Sequence, residues 1–253
     1  MTAFLKKEWL EQVRSGRLLI LGILFLLLGI MNPAIAKLTP WLFEVMAESL
    51  EESGMTVTAI TVDAMTSWTQ FFKNIPMGLI AFVLLQSGIF TKEYQSGTLT
   101  LALTKGLRRS AVVLAKALVL AVLWTVCYWL CYAVTYGYNE LFWENSIAQH
   151  LSFAALCWWV LGLWSVFLLV LCSAVAKSNS AVLAGTGVVF LAAYLIGLFP
   201  KISACTPAKL MQTAPLLSGL AAPDTYTAAL TVSIILCAAC IASSIPILNK
   251  KQL

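Results

Sequence analysis

Long apolar blocks dominate the pattern of this chain. Six stretches of 17 or more residues contain no charged side chain, and each is continuously apolar rather than alternating. At about 1.5 Å per residue, nearly all of them are long enough as helices to cover a hydrocarbon core of about 30 Å. Lipid offers the backbone no hydrogen-bond partner, so helices are predicted rather than barrel strands. The predicted spans are residues 18–36, 75–91, 117–136, 151–175, 181–199 and 228–248.

The second predicted span is the shortest. Asn74 and Pro76 predict its start, because proline is tolerated in the first turn of a helix but not in its interior.

A separate amphipathic helix is predicted before the first span, over residues 1–17. Leu5, Trp9 and Val13 recur at a spacing of four among charged residues, which is typical of a helix lying on the inner membrane surface.

The same N-terminal region also has features of a secretory signal peptide. Residues 1–36 combine a basic leader, an apolar run and the small-residue pattern Ala34-Ile35-Ala36. The leader is long, however, and it contains Glu8 and Glu11. Cleavage would leave five spans and place the two termini on opposite sides, so a retained helix is favoured.

The overall composition excludes a water-soluble protein. Hydrophobic residues make up 60% of the 253 positions and charged residues 11%, against roughly 45–50% apolar in a soluble domain. One polytopic membrane domain over residues 1–253 is the prediction. The net charge is +5, and the basic residues lie in short clusters beside the apolar blocks. This distribution indicates topology signals and no nucleic-acid partner.

The distribution of basic residues predicts that both termini are cytoplasmic. With the N-terminus inside, 12 of the 16 lysines and arginines fall in inner segments. The outer segments keep only Lys37, Lys73, Lys201 and Lys209. We therefore expect a multi-pass protein of the cell membrane, which is the plasma membrane if the protein is bacterial.

The cysteines and the single histidine predict no cofactor or metal site. Six of the seven cysteines lie within predicted spans, so no outer disulfide framework is available. The pairs Cys127/Cys131 and Cys237/Cys240 have one-turn spacing, but no histidine or carboxylate accompanies them, and packing is favoured over metal binding. His150 lies at a span edge and is predicted to be a polar cap.

Several function classes are excluded by what the blocks lack. None contains Asp, Glu, Lys, Arg or an interior His, which argues against a proton relay, an ion-coupled carrier or an intramembrane hydrolase. The chain also has no G-x-x-x-x-G-K-[ST] loop for binding ATP. We therefore expect no enzyme activity and no cofactor in this chain itself.

The largest predicted cytoplasmic segment covers residues 92–110. Leu99 and Leu103 share a face if the segment is helical, whereas Thr98 to Thr104 alternate as a strand would, so the pattern leaves the local structure open. Exposed leucines predict a partner surface. The alternative is a solvated basic loop that only fixes topology.

The order of these features resembles the permease subunits of type-2 ATP-binding-cassette (ABC) exporters. The shared features are the basic N-terminal helix, six spans, a large first outer loop, and a loop before the third span with a glutamate, glycine-threonine-leucine, a threonine and an arginine. The corresponding positions in this chain are Glu93, Gly97, Thr98, Leu99, Leu103, Thr104, Arg108 and Arg109, and the family-like stretch continues to Lys116. Many members have a proline after the threonine, where this chain has Lys105 and Gly106.

The resemblance implies a partner and a mechanism. A separate cytoplasmic ABC ATPase would bind ATP and Mg²⁺ and dock on residues 92–110, and a second permease, identical or different, would complete the transporter among membrane lipids. Uncharged polar residues within the spans are candidates for lining an apolar path, with hydrogen bonding between helices as the alternative role. They are Gln86, Ser87, Thr125, Ser165 and Thr186.

The outer segments complete the sequence-based picture. Residues 200–227 hold half of the eight prolines around short apolar runs, which favours short re-entrant helices over a plain loop. The first outer loop is predicted to contain an amphipathic helix. Its apolar face would comprise Trp41, Leu42, Val45, Met46 and Leu50, opposite Glu44, Glu48 and Glu51.

The expected substrate of such an exporter is apolar or amphipathic, such as a lipid-like molecule, a drug or a peptide. The alternative function is a non-transporting membrane anchor or an immunity protein, which would share the topology without a partner ATPase.

Overall fold

The computed structural model describes residues 2–51, 62–104 and 106–250, and within these ranges the chain forms helices and no strand. Six helices are long and apolar enough to cross a membrane. They are α2 (Arg17–Glu51), α3 (Ala64–Gln86), α6 (Arg109–Phe142), α7 (Leu151–Val175), α8 (Asn179–Ile196) and α11 (Thr227–Lys250). The predicted all-helical fold with six spans is confirmed.

Short helices lie in several of the segments outside these six, within the described ranges. The N-terminal helix is α1 (Thr2–Arg14), and the segment between α3 and α6 forms α4 (Thr91–Ser96) and α5 (Thr98–Thr104). Two further short helices, α9 (Pro200–Ser203) and α10 (Ala214–Leu217), lie between α8 and α11. Three single 3₁₀ turns complete the set, at Asn145–Ile147, Pro207–Met211 and Pro223–Tyr226.

Helix α7 is the centre of the bundle. It packs against α6, α8 and α11, while α2 packs against α3 and α6. The contact between α6 and α7 depends on Gly162, because a Cβ there would lie 2.1 Å from the Trp124 ring. Cys127 and Cys131 are free and buried in the same core. By contrast, α8 buries only Val182 and Thr186 and lies at the periphery.

The second span begins earlier than the sequence indicated. Asp63 caps α3, and its side chain accepts a hydrogen bond from the Thr66 amide at 3.0 Å. Pro76 therefore lies in the helix interior rather than in its first turn, and the prediction that it marks the start is wrong.

The first span extends into the predicted outer loop, because α2 remains helical as far as Glu51. The predicted amphipathic faces of that loop rest largely on side chains 42–44 and 46–51, which lie outside the described side chains. Trp41 and Val45 are exposed.

The segment 200–227 folds as a series of short helical turns, four of which carry a proline at or next to their first residue. Proline suits these positions because its missing amide would have no partner there. Leu210, Leu216 and Tyr226 are fully buried, and the Tyr226 hydroxyl donates to the Gln212 carbonyl at 2.6 Å. The segment is thus packed onto the bundle, and its depth in the membrane stays a prediction.

Candidate functional site

The segment between the second and third long helices is a helix–turn–helix. Gly97, with φ +67°, ends α4 in the left-handed conformation, and Gly106, with φ +86°, precedes α6. Glycine adopts such angles without the steric penalty of a Cβ. Residues 98–104, whose pattern left helix and strand open, are helical as α5.

Helix α1 turns its polar side toward this segment. Glu8 and Gln12 are 2% and 3% exposed, whereas the predicted apolar residues Trp9 and Val13 are 39% and 47% exposed. Trp9 and Val13 thus point away from the protein, whereas Leu5, the third residue of the predicted stripe, is half-buried. Such an arrangement suits a helix with lipid on one side and a polar protein surface on the other.

The polar side of α1 completes a partly buried charge cluster, which comprises Lys7, Glu8, Glu11, Glu93 and Lys116. The Lys116 ammonium lies 2.9 Å from Glu8 Oε2 and 3.0 Å from Glu93 Oε2. Lys7 forms ion pairs with Glu93, with Glu8 at 3.0 Å and with Glu11 at 3.2 Å. The cluster therefore joins α1, α4 and α6.

The members of the charge cluster differ in their exposure to solvent. Lys116 is 1% exposed and Glu93 5%, whereas the side chains of Lys7 and Glu11 are 44% and 42% exposed. Lys116 also donates to the Ile89 carbonyl at 3.0 Å. Burial by itself lowers the pKa of Lys7, but the hydrogen bond to Glu93 and the charges of Glu8 and Glu93 raise the pKa well above its ordinary value. Lys7 therefore stays protonated throughout the physiological range.

The charge cluster resembles a cation site in its geometry. The carboxylate oxygens of Glu8, Glu11 and Glu93 lie within 4.8 Å of one another, a spacing that one cation can bridge. The ammonium of Lys7 contacts all three carboxylates and so occupies that position itself.

A neutral pair extends the contact between α1 and the bundle. Gln12 and Gln86 exchange two side-chain hydrogen bonds of 3.1 Å, and both residues are buried. Gln86, predicted to line a path, thus faces α1.

The segment is joined to two other helices at its ends. The Thr91 hydroxyl donates to Asn179 Oδ1 at the start of α8. Arg109 donates to the carbonyl oxygens of Leu248 and Asn249 at the end of α11. Cationic donors near a helix C-terminus satisfy carbonyls that have no partner within the helix.

The predicted coupling residues fall into two groups. Gly97, Thr98, Thr104 and Arg108 are exposed. Leu99 is 1% exposed and belongs to the hydrophobic core of the chain, so the expectation that it is an exposed leucine is wrong.

Leu103 is half-buried against the same core. Burial of the two leucines anchors the segment to the bundle, and the exposed group supplies the surface that a partner can reach.

Sequence reasoning missed Lys7 and Glu8 as members of a site, and it includes Lys116 only as the end of the family-like stretch, with no partner assigned. A signal was nevertheless present, since Lys116 immediately precedes the third apolar block, and a charge at that depth needs a partner.

An apolar groove of about 410 Å³ lies between α3, α7 and α8. Two of the predicted path residues, Ser165 and Thr186, line it. Their hydroxyls donate to carbonyls of their own helices, at 3.0 Å to Leu161 and 2.8 Å to Val182, so the groove presents almost no free polar group.

The other predicted path residues lie elsewhere. Ser87 donates to the Leu84 carbonyl at 2.9 Å. Thr125 donates to the Ala121 carbonyl and accepts from the Trp159 indole at 3.1 Å, which ties α6 to α7.

Comparison with known proteins agrees with this arrangement. Residues 2–243 match the model of the ABC-2 family transporter proteins. The chain is also similar to the uncharacterized transmembrane protein YxlG of Bacillus subtilis (strain 168), with 27% identity over 225 residues, which cover 85% of this chain and 83% of that protein. No solved structure matches the chain. The protein therefore belongs to the ABC-2 family of transporter proteins, as a membrane subunit that works with an ABC ATPase.

Proposed function

We propose that this protein is the permease of an ABC exporter for an apolar or amphipathic substrate, such as a lipid-like molecule, a drug or a peptide. Both termini face the cytoplasm, and the segment 92–110 receives the movement of the ATPase. The observation that carries the proposal is the charge cluster, because it fastens this segment to α1 and α6 through Glu93.

A transmitted movement needs rigid attachments, and the segment has several. Glu93 binds Lys7 of α1 and Lys116 of α6, while Thr91 binds Asn179 of α8. Since α8 forms one wall of the apolar groove, displacement of α4 would pull on that wall.

The surface that meets the ATPase consists of the exposed residues of α4, α5 and the turn before α6. Thr98, Thr104 and Arg108 belong to it. Glu93 and Leu99 act beneath this surface, where they hold the two short helices in place.

The apolar groove supports the substrate class. Its lining includes Leu79, Val83 and Phe190, and the Ser165 and Thr186 hydroxyls are already paired. A charged substrate would lose its hydration there without compensation, whereas an apolar one would not.

Helix α8 supports a second permease as partner. Val188 and Leu191 are 65% and 56% exposed, so the helix offers a large apolar surface to another helix or to lipid. Identical or different, that second subunit would enclose the groove from the open side.

The test uses the permease co-expressed with its ABC ATPase and reconstituted in lipid. Arg108→Glu is expected to lower ATPase co-purification and the stimulation of ATP hydrolysis, because it reverses a charge on the proposed docking surface. Lys177→Glu is the matched control, since Lys177 is exposed in the connection between α7 and α8 and lies outside that surface.

The docking and anchoring roles predict different defects. Leu99→Ala, which removes a buried anchor, should preserve co-purification better than Arg108→Glu but should lower stimulation. If Arg108→Glu and Lys177→Glu behave alike and both retain full stimulation, the coupling role is wrong and the anchor or immunity alternative gains support.

A further inference from the structure

A second cavity lies at the opposite end of α6 from Lys116, and we call it the distal cavity. It has a volume of about 630 Å³ and is formed by the last turns of α6, the 3₁₀ turn that follows and the start of α7. The lining residues that matter chemically are Tyr132, Tyr136, Glu140, Glu144, Asn145 and His150.

One wall of the distal cavity is aromatic. The rings of Trp68 and Tyr132 are 5.2 Å apart at 35°, and those of Tyr132 and Tyr136 are 6.1 Å apart at 30°. These three rings form an aromatic column. The column is held in place because the Trp68 indole donates a hydrogen bond to Asn145 Oδ1 at 2.9 Å. Two tyrosines, supported by a buried tryptophan, therefore line the cavity.

The other wall carries negative charge. Asn145 Nδ2 donates to Glu140 Oε2 at 2.6 Å and so fixes one carboxylate next to the aromatic column. Neither Glu140 nor Glu144 forms an ion pair within the described part of the chain, and no described lysine or arginine lines the cavity. The C-terminal end of α6 adds the negative end of its helix dipole.

Aromatic faces and carboxylates together favour one class of ligand. The negative face of an aromatic ring attracts a cation, and quaternary ammonium groups are the ligands for which this attraction is most often used. A divalent metal would instead need several oxygen ligands and gain little from the rings. The paired carboxylates supply the charge that a weakly hydrated organic cation needs.

We propose that the distal cavity binds a quaternary ammonium cation, with Tyr132 and Tyr136 against its alkyl groups and Glu140 and Glu144 supplying the opposite charge. The proposal is independent of the transport function, because the distal cavity and the apolar groove have no lining residue in common.

An ordinary aromatic belt at a membrane surface would also place tyrosines near the end of α6. Tyr138 provides the comparison within the same stretch of helix. Its exposure of 38% is close to the 41% of Tyr136, but its ring packs beside Phe142, with centroids 6.3 Å apart, and it does not line the distal cavity. A belt role predicts that Tyr136 and Tyr138 respond alike to substitution, whereas a binding role predicts that only Tyr136 matters.

The experiment measures choline binding to the purified full-length protein in an uncharged maltoside detergent, by saturation-transfer NMR of the ligand methyl signal. The neutral isostere 3,3-dimethyl-1-butanol tests the need for the positive charge, and Ca²⁺ is titrated as the competing cation class. Melting curves and gel filtration verify that each variant is folded.

Binding of choline without binding of the isostere is expected. Tyr136→Leu should raise the Kd about fivefold, the effect of losing one cation–π contact, while Tyr136→Phe, which keeps the ring, should retain binding. Glu140→Gln should weaken binding by a similar factor, whereas Tyr138→Leu and the exposed outer control Asp224→Asn should leave it unchanged.

Three results would overturn the assignment. Equal binding of choline and its isostere would show that charge plays no part. Equal effects of Tyr136→Leu and Tyr138→Leu would indicate an aromatic belt. Binding of Ca²⁺ that depends on Glu140, with no choline binding, would indicate a metal site instead.

Discussion

Replacement of Lys116 by methionine should destabilise the protein strongly, because it leaves two buried carboxylates without their main counter-charge. Methionine keeps much of the length of the side chain, so packing changes little. The ammonium lies 2.9 Å from Glu8 and 3.0 Å from Glu93, and all three residues are at most 5% exposed. Removing one partner of a buried ion pair costs about 3–5 kcal/mol. Lys7 still contacts both carboxylates, so we expect the lower end, about 3 kcal/mol.

The assay is equilibrium unfolding of the purified protein in mixed detergent–SDS micelles. Lys92→Met is the matched control, since Lys92 lies in α4 beside Glu93 but is exposed and forms no described ion pair. An exposed substitution of this kind should change the free energy of unfolding by less than about 0.5 kcal/mol. If Lys116→Met is as stable as Lys92→Met, the cluster does not hold α1, α4 and α6 together.

A second substitution separates a charge effect from a packing effect. Adding Glu93→Gln to Lys116→Met removes one uncompensated carboxylate and should recover part of the lost stability, roughly 1–2 kcal/mol. A packing defect at Lys116 would not respond to this change. Additive losses in the double variant would therefore refute the electrostatic explanation.

Three further predictions concern packing, the groove and topology. Gly162→Ala should destabilise by about 1–3 kcal/mol or more in the same unfolding assay, because its Cβ would collide with Trp124 at 2.1 Å, whereas Gly137→Ala, which meets nothing within 4 Å, should not. Gly187→Leu, whose Cβ would meet nothing within 4 Å, should fill part of the apolar groove and lower substrate-stimulated ATP hydrolysis while the Tm is maintained. A cysteine at exposed Asn249 in a cysteine-free background should react with an impermeant maleimide only from the cytoplasmic side, and labelling from outside would contradict the proposed orientation.

The fold was predictable because membrane insertion leaves few alternatives. Blocks without charge must be helical in lipid, and the six blocks correspond to the six long helices. Helix ends were harder to predict, because the backbone hydrogen bonds of a helix can continue from lipid into water. The end of an apolar block therefore does not have to be the end of the helix. The N-cap at Asp63 and the interior position of Pro76 show this for α3, whose start depends on a capping hydrogen bond rather than on hydropathy.

The segment 92–110 was predictable as a distinct segment, but the contacts of its side chains were not. Hydropathy cannot reveal whether Leu99 faces a partner or its own core, because both surfaces are apolar, and the structure buries it. Glu93 was identified as the glutamate of the family-like motif. Its partners Lys7 and Lys116 are distant in sequence, so only tertiary structure reveals the cluster.

The charge cluster also explains the orientation of α1. If α1 turned its apolar side to the bundle, Trp9 and Val13 would become more buried. Glu8, however, would lose its ion pair with Lys116 and would enter the lipid or the headgroup layer. The apolar side chains are as well accommodated by lipid as by protein, so their transfer gains little, whereas a carboxylate without its counter-charge costs several kcal/mol. The charges therefore decide how α1 is rotated. Because charges rather than apolar contacts fix α1, this helix stays in register with α4. The role proposed for residues 92–110, which is to receive movement from an ATPase, requires such a fixed neighbour.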